Sequence, residues 1–482
     1  MKDRGQSACP RGAFEFGGGA GRVRAIGATR RPPYADHTMS RGETVDVAAL
    51  ERNAVELLQR LIRFDTVNPP GAEAQAQDYL TGWLEGAGFT VELAESAPGR
   101  PNLVATLAAE SDGPTLALLG HVDTVLADAG EWQVDPWSGE LKDECVWGRG
   151  AQDMKGQVAA EVAAAVTLAE SGWRPAAGTL KVIVTVDEET GGAHGARWLC
   201  EQRPDLARAD VVVNEGGGGT FLYEGRRYYR VGCAEKGPCR FNVVAHGRAG
   251  HASIPRMGEN ALLKLAPLLE RIATHQPAYD LTDEPRAMLS AIFGREIDEG
   301  DLPELLTEIE RTDPRLAVLV EPTLGVTLTP TMAEASGKVN VIPARAHFRV
   351  DCRLPPGFDT AHAELRAREV LGEGDYDLEF SEVAVGNRSA HDTSLMDAVR
   401  SWVAERIDPD AIAVPSVLPG FTDSRWFRDA FPDCVAYGFF PQLKMDMYES
   451  EPLIHGADER IPVEDLVLAS EFFADVVTRL LG

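Results

Sequence analysis

The chain has 482 residues and a formal net charge of −28, from 47 basic and 75 acidic side chains. Hydrophobic residues make up 44% of the sequence, a share that is normal for a folded globular protein. A chain of this length predicts two domains, because single cores stop growing at about 250–300 residues. The negative charge disfavours nucleic acid and membrane surfaces as partners and favours small molecules or short peptides.

The cysteines and the apolar segments indicate the cellular location of the protein. The seven cysteines form no Cys-x-x-Cys pair and are odd in number, so we predict neither a disulfide framework nor a cysteine-based zinc site. No apolar run approaches the roughly 18–20 residues that span a bilayer, and the N-terminus lacks the apolar segment of a secretory signal. We therefore expect a cytoplasmic protein.

Residues 1–38 differ in composition from the rest of the chain. They are rich in Gly and Arg and have no periodic apolar pattern, which predicts a disordered extension. Met39 stands directly before the first helical stripe of apolar residues. This position suggests the hypothesis that Met39 is the true start, and an intact-mass measurement on the native protein would refute it by finding the full-length species.

Residues 39–230 alternate predicted helices with short apolar strands. This order predicts an α/β catalytic domain with a mostly parallel central sheet, whose ligands bind at the C-terminal ends of the strands. The predicted helices cover about 45–62, 74–86 and 157–169, and the predicted strands begin near 90 or cover 102–107, 115–119, 179–186 and 210–213.

From residue 231 the pattern changes to that of a smaller α+β domain. Strands are predicted around 239–247, 326–329 and 346–350, with a helix over 260–273. Because the α/β character resumes over 355–482, we interpret 231–354 as an inserted lid or dimerisation domain. An acidic helical segment over 280–322 lies within this insertion, and the sequence does not indicate its role.

Polar side chains follow several predicted strands at the point where each strand ends. His121 and Asp123 end one apolar run, and the extended backbone would point both side chains to one side. A carboxylate behind an imidazole typically fixes the tautomer that binds a metal. Asp153 precedes the Ala-rich helix, where it suits either a helix cap or a metal ligand.

Adjacent acids after another strand indicate a site that needs positive charge. Glu188 and Glu189 follow an apolar strand, and like charges so placed cost stability unless a cation compensates them, although a solvated acidic turn also fits. One glutamate can bind a metal while the other acts as general base. Glu215 ends a further strand. His455 and His251 stand in later loops, and singly each is more typical of a structural residue.

Together these histidines and acids form a mixed nitrogen and oxygen donor set. Such a set favours zinc, with cobalt or manganese as alternatives. The ordered motifs GHVDTV, GRGAQDMKG, DEETGG, GRAGHASIP and HGADE over about residues 45–480 resemble the M20 family of metallopeptidases and aminoacylases. This family includes glutamate carboxypeptidases, aminoacylases, acetylornithine deacetylases and succinyl-diaminopimelate desuccinylases.

The resemblance implies a role for each matching residue. It assigns one zinc ion to His121, Asp153 and Glu215 and a second to Asp153, Glu189 and His455, so that Asp153 bridges the pair. It makes Asp123 the residue that orients His121, and Glu188 the general base that moves a proton from the attacking water to the leaving nitrogen. It also implies a homodimer, in which His251 of one subunit stabilises the oxyanion in the site of the other.

Four further residues match the substrate-binding positions of the family. Asn340 in KVNVIPA and Arg353 in DCRLPPG match a carboxylate-binding pair, although Arg353 also fits a strand-end salt bridge. Gly420 and Thr422 in GFTDSRWF match a substrate-side loop in which Phe421 replaces a second glycine.

The resulting expectation is a metal-dependent hydrolase that cleaves an amide or peptide bond next to a carboxylate. The substrates would be N-acyl amino acids or short peptides. A biosynthetic deacylase of the acetylornithine or succinyl-diaminopimelate type shares every ligand and remains open as an alternative. A non-catalytic binding module is the third reading, and the presence of all ligands and of the base weighs against it.

Overall fold

The computed structural model describes residues 37–38 and 44–482. Most of the predicted extension over 1–38, together with Met39, lies outside the described residues. His37–Thr38 forms a two-residue strand that pairs antiparallel with Thr44–Val45.

A central sheet of ten strands carries the predicted α/β fold. Its middle is parallel: Thr115–His121 lies between Thr179–Thr185 and Val211–Asn214, and Val211–Asn214 in turn pairs parallel with Val435–Gly438. The C-terminal ends of these strands therefore meet at one edge. The outer strands are Thr90–Ala97, Arg100–Ala108, Thr220–Tyr223, Arg226–Glu235, Asn387–Arg388 and Ile412–Leu418.

Helices cover both faces of this sheet and bury an extensive apolar core. The helix Lys155–Glu170 packs against the sheet and against three other helices, and its small alanines allow close approach on every side. None of the helices in the described residues combines the length and apolarity that crossing a membrane requires. The helices around the sheet are Val47–Ile62, Ala74–Gly86, Lys155–Glu170, Ala196–Gln202, Pro204–Ala207, Ser394–Arg406, Ser424–Ala430, Met447–Ser450 and Val463–Leu481.

One carboxyl group is buried inside this helical layer. Glu161 is fully buried, and its Oε1 accepts a hydrogen bond from Gln157 Nε2 at 2.8 Å, whereas Oε2 has no partner among the described residues. Burial raises the pKa of Glu161 to about 8. In the folded state the Glu161 carboxyl group therefore keeps its proton up to about pH 8. In the unfolded chain it loses this proton at its ordinary pKa of 4.5.

We expect Glu161 to make stability fall with pH. Because its folded pKa is raised, the unfolding free energy decreases between about pH 4.5 and pH 8, by about 5 kcal/mol, and levels off above that. Urea unfolding of Glu161→Gln should show a much flatter dependence over this window. Glu170→Gln, on the exposed end of the same helix, is the control and should follow the wild type. Equal slopes for both variants would contradict the prediction.

A separate four-stranded antiparallel sheet forms the smaller layer. Its strands lie in the order Thr327–Glu334, Arg345–Leu354, Gly237–His246 and Asp377–Val383. The helices Ala261–Thr274 and Thr360–Leu371 pack on it. The layer thus extends beyond residue 354, where the sequence analysis ended the insertion, because the edge strand Asp377–Val383 completes its sheet.

The acidic segment over 280–322 packs on the central sheet, and its first residue, Asp280, also pairs with His362 and Arg366 of the helix Thr360–Leu371. It forms the helices Asp283–Phe293, Leu302–Thr312 and Pro314–Val320. Their apolar side chains share a core with residues of the central sheet such as Phe221, Tyr228 and Val414. The role that the sequence left open therefore includes covering one end of that sheet.

The described cysteines are all free. The cytoplasmic location stays a prediction.

Candidate metal centre and active site

Two groups of side chains that could hold a metal ion meet at the C-terminal edge of the central sheet. His121 is the last residue of its strand, and Glu188 and Glu215 follow the two strands that flank it. Since parallel strands end at the same edge, residues far apart in sequence come together there. The expectation that these side chains converge agrees with this arrangement.

The first group surrounds the imidazole of His121. His121 Nε2 lies 3.3 Å from Asp153 Oδ1, 3.8 Å from Glu215 Oε1 and 4.0 Å from Glu188 Oε2. The His121 side chain is almost completely buried, whereas the carboxylates retain partial exposure. Solvent or a ligand can therefore reach the group only from the side where the carboxylates lie.

The second group joins His455 to the same aspartate. His455 Nε2 lies 3.0 Å from Asp153 Oδ2 and 3.1 Å from Glu189 Oε2. His455 has a φ of 58°, in the left-handed region that non-glycine residues seldom adopt. Such strain is often retained where it positions a functional side chain. Asp153 thus faces both histidines, one with each oxygen.

Asp123 braces both His121 and the acidic loop. His121 Nδ1 lies 3.1 Å from the Asp123 carbonyl oxygen and 3.4 Å from its Oδ1. The Asp123 carboxylate also accepts hydrogen bonds from the backbone N–H groups of Glu188 and Glu189, each at 3.2 Å, and from Asn68 Nδ2 at 2.9 Å. One fully buried carboxylate therefore fixes the imidazole and the two glutamates relative to each other.

Glu459 holds the loop that carries Asp153. Its buried carboxylate accepts hydrogen bonds from Arg149 Nη1 at 2.6 Å and from the backbone N–H groups of Gly150, Gln152 and Asp153 at 3.1, 2.7 and 3.1 Å. The helix after this loop begins at Lys155, and Asp153 does not cap it. The capping explanation for Asp153 was therefore wrong, because its oxygens face the histidines.

The electrostatics of the two groups show a demand for positive charge. Burial and the neighbouring Glu215 raise the pKa of Glu188 well above its ordinary value. Hydrogen bonds to Asp153 and Glu189 raise the pKa of His455 to about 10. Although burial opposes ionisation, the two imidazoles hold the pKa of Asp153 below its usual range. Crowded buried carboxylates of this kind are stabilised by cations.

The donor set fits a divalent metal. His121 Nε2 is buried and has no hydrogen-bond partner among the described residues, although three carboxylates lie within 4.0 Å. Buried polar atoms normally have a partner, so an orphan nitrogen among carboxylate oxygens indicates a ligand atom. Imidazole nitrogen and carboxylate oxygen are donors that zinc takes readily.

A cavity of about 300 Å³ opens beside these groups. Its wall includes Asp153, Glu188, Glu189, Glu215 and His455. The remaining lining residues come from segments 152–230 and 418–454, so no residue of the four-stranded layer contributes. The volume is suited to a small molecule or a short peptide segment.

The predicted substrate loop contributes one of its two residues to this cavity. Thr422 lines the wall, and its hydroxyl donates a hydrogen bond to Glu235 Oε1 at 2.6 Å. Phe421, which stands where the family has a glycine, also lines the wall. Gly420 is outside the lining, with open space around its Cα.

The other three predicted site residues lie in or beside the four-stranded layer and do not line the cavity. His251 is exposed, and its Nδ1 lies 2.8 Å from Ser253 Oγ. Asn340 is also exposed, and its carbonyl oxygen accepts a hydrogen bond from Ala252 N. Arg353 Nε donates to Asp351 Oδ1 at 2.8 Å, which is the strand-end salt bridge considered above. Within one chain these residues are thus not brought to the metal-binding groups.

The sequence analysis also missed residues that shape the site. The sequence analysis did not single out Asn68, yet it contacts Asp123 and Asp187. Glu459 stands inside the quoted HGADE motif, which was the available signal. Arg230 lines the cavity and had no recognisable sequence signal.

Comparison with known proteins agrees with this geometry. The model of peptidase family M20/M25/M40 matches residues 117–479. The chain belongs to this family. As an M20 family member it is a hydrolase that acts on amide bonds, as the motifs predicted, and its fold class is confirmed by solved M20 structures.

Curated relatives match nearly the whole length of this M20 family member. A succinyl-diaminopimelate desuccinylase of Methylocella silvestris is 30% identical over 445 residues, covering 89% of this chain and 98% of the relative. A desuccinylase of Rhodospirillum centenum is 29% identical over 440 residues.

Two solved structures share the fold at lower identity. An M20 family metallo-carboxypeptidase from Sulfolobus solfataricus superposes with a TM-score of 0.64 at 20% identity, covering 89% of this chain and 99% of the other. Human carnosine dipeptidase 1 also gives 0.64, at 16% identity and with 90% and 97% coverage.

Proposed function

We propose that this protein is a metallohydrolase with two divalent metal ions, most suitably zinc, that cleaves an amide bond next to a carboxylate. The observation that carries the proposal is the shared aspartate: one Asp153 oxygen faces His121 at 3.3 Å and the other faces His455 at 3.0 Å. A carboxylate between two ligand groups is suited to bridging two ions. His121, Asp153 and Glu215 would hold one ion, and Asp153, Glu189 and His455 the other.

When bound, the ions would supply Lewis-acid activation of water and of the scissile carbonyl. With these five residues as ligands, Glu188 is the remaining acid of the cluster, and it lines the cavity. It would take a proton from the attacking water and deliver it to the leaving nitrogen. Asp123 would hold His121 and Glu188 in fixed positions relative to each other through its hydrogen bonds.

Two substrate classes remain, and each has support. N-acyl amino acids or short peptides suit the cavity of about 300 Å³, and structures of this fold include a carboxypeptidase and a dipeptidase. A biosynthetic deacylase is supported by the curated relatives, which bear the name succinyl-diaminopimelate desuccinylase.

We also propose a homodimer in which a second copy supplies His251. His251 is exposed on the four-stranded layer, beside the exposed apolar side chains Ile254, Met257 and Leu263. Clustered exposed apolar side chains are typical of interaction sites. A second subunit covering this surface would bury them, and in the M20 arrangement implied by the motifs it would receive His251 into its own site.

The test is a turnover screen on purified full-length protein with zinc, cobalt or manganese. The panel contains N-acetyl and N-succinyl amino acids, N-succinyl-diaminopimelate and dipeptides. We expect turnover that chelation abolishes and metal restores, with two ions bound per chain by elemental analysis. Equilibrium binding of a panel member without turnover would favour the binding module instead, and turnover unaffected by chelation would refute the metal mechanism.

A further inference from the structure

A buried ion-pair network lies next to the acidic loop that carries Glu188 and Glu189. Its centre is Arg100, whose side chain is 10% exposed. Arg100 Nη2 and Nε donate hydrogen bonds to Glu73 Oε1 and Oε2 at 2.5 and 3.1 Å, and Nη1 donates to Asp187 Oδ1 at 2.9 Å. These three side chains lie outside the lining of the catalytic cavity, so they do not contact a substrate bound there.

The strand register brings Arg100 to this position. Arg100 begins a strand that pairs antiparallel with Thr179–Thr185. Leu103 of this strand pairs with Val184. The same register, continued past the end of the neighbouring strand, sets Arg100 beside Asp187. The start of this antiparallel strand therefore lies at the edge where the parallel strands end.

Asp187 holds the shape of the acidic loop. Its backbone has a φ of 69°, in the left-handed region that residues other than glycine seldom adopt. Its Oδ1 also accepts hydrogen bonds from Thr190 Oγ1 at 2.7 Å and from Asn68 Nδ2 at 3.1 Å, and its Oδ2 accepts one from His194 N at 2.9 Å. These contacts fix the turn from which the two glutamates project.

Arg100 supplies positive charge to this network. In the described part of the chain, no other lysine or arginine forms an ion pair with Glu73 or Asp187, whose side chains are 0% and 4% exposed. Removal of one partner from a buried ion pair leaves an uncompensated charge, which is strongly unfavourable. The other hydrogen-bond donors to Asp187 are neutral, so the guanidinium is its charged anchor.

The guanidinium of Arg100 is closely packed. A Cβ atom on Gly71 would stand 2.4 Å from Arg100 Cζ, and Gly71 has a φ of 77°. A glycine therefore allows this turn to lie directly against the guanidinium. The same turn carries Asn68, whose Nδ2 also donates to Asp123 at 2.9 Å. The network thus extends to the carboxylate that braces the imidazole of His121.

We infer that Arg100 is a positioning residue, which acts through Asp187 to hold Glu188 and Glu189 where proton transfer and metal binding require them. The inference rests on the proposed function and adds to it a residue that contacts neither the substrate nor the metal. Outer contacts of this kind typically contribute about 10–100-fold to activity.

The experiment measures kcat for each metal-loaded site on the best substrate of the turnover screen. Metal content is determined by elemental analysis and stability by urea unfolding of the same samples. Arg100→Met should lower kcat about 10–100-fold and leave KM nearly unchanged, because the network lies outside the cavity. Arg100→Lys restores the charge but not the fork of donors, so its kcat should lie between those of Arg100→Met and the wild type.

A double variant separates positioning from stability. Glu73→Met combined with Arg100→Met replaces the buried pair by apolar side chains, so the free energy of unfolding should recover relative to Arg100→Met alone. Its kcat should stay low, because Asp187 still lacks the guanidinium. A purely structural role for Arg100 predicts instead that kcat recovers together with stability.

The matched control is Arg366→Met. The Arg366 side chain is 14% exposed and pairs with Asp280 and Glu369, away from the acidic loop. Its replacement should lower stability and leave kcat at the wild-type level.

The outcomes separate this inference from the proposed function. A kcat of Arg100→Met equal to that of the wild type, or a kcat that recovers with stability in the double variant, overturns the positioning role alone. The absence of metal-dependent turnover by the wild type on every amide of the panel refutes the proposed function and, with it, this inference.

Discussion

Replacing Glu188 by glutamine is expected to lower kcat by about 10²–10⁴-fold, the usual contribution of a positioned general base. Glutamine has nearly the same shape but cannot accept a proton from water at neutral pH. Glu188 lines the catalytic cavity, and its backbone N–H is held by Asp123, so the substitution should leave the loop in place. Steady-state kinetics with elemental analysis on the same sample checks both points.

The matched control is the neighbouring Glu189→Gln. Glu189 Oε2 lies 3.1 Å from His455 Nε2, so this variant should lose metal as well as activity. Glu188→Gln should lose activity alone. Full activity in Glu188→Gln, or a metal loss equal to that of Glu189→Gln, would contradict the assignment of Glu188 as the general base.

Replacing His251 by alanine is expected to lower kcat by about 10²–10³-fold, the typical effect of losing one oxyanion-stabilising donor. The side chain lines no part of the cavity in its own chain, so its effect would come from the partner subunit. Co-expressing His251→Ala with Glu188→Gln should then restore activity. In a hybrid dimer, the chain with intact Glu188 receives the intact His251 of the other copy.

Random assembly of equal amounts makes half of the dimers hybrids, each with one complete site, so the mixture should reach about a quarter of wild-type activity. His246→Ala is the control, because His246 is an exposed histidine of the same layer that contacts Asp377. If the activity of the mixture does not exceed the activity of either variant alone, His251 does not act across subunits.

The sequence predicted the elements with the clearest periodicity. The helix predicted over 74–86 is observed as Ala74–Gly86, and the helix predicted over 260–273 as Ala261–Thr274. The convergence of His121, Glu188 and Glu215 was also predictable, since each ends a parallel strand and such strands share an edge.

What the sequence could not show are contacts between distant segments. Glu459 reaches the loop of Asp153 across 306 residues, and Arg230 meets Glu451 across 221. No local pattern encodes such pairings.

The contact of Glu459 with the Asp153 loop has a consequence for biosynthesis. The segment over residues 455–459, which precedes the helix Val463–Leu481, supplies His455 and anchors the loop through Glu459. A ribosome-bound chain that lacks this tail holds one histidine of the pair and an unanchored aspartate. Hydrolytic competence should therefore arise only after residues 455–459 have been synthesised and have bound the Asp153 loop.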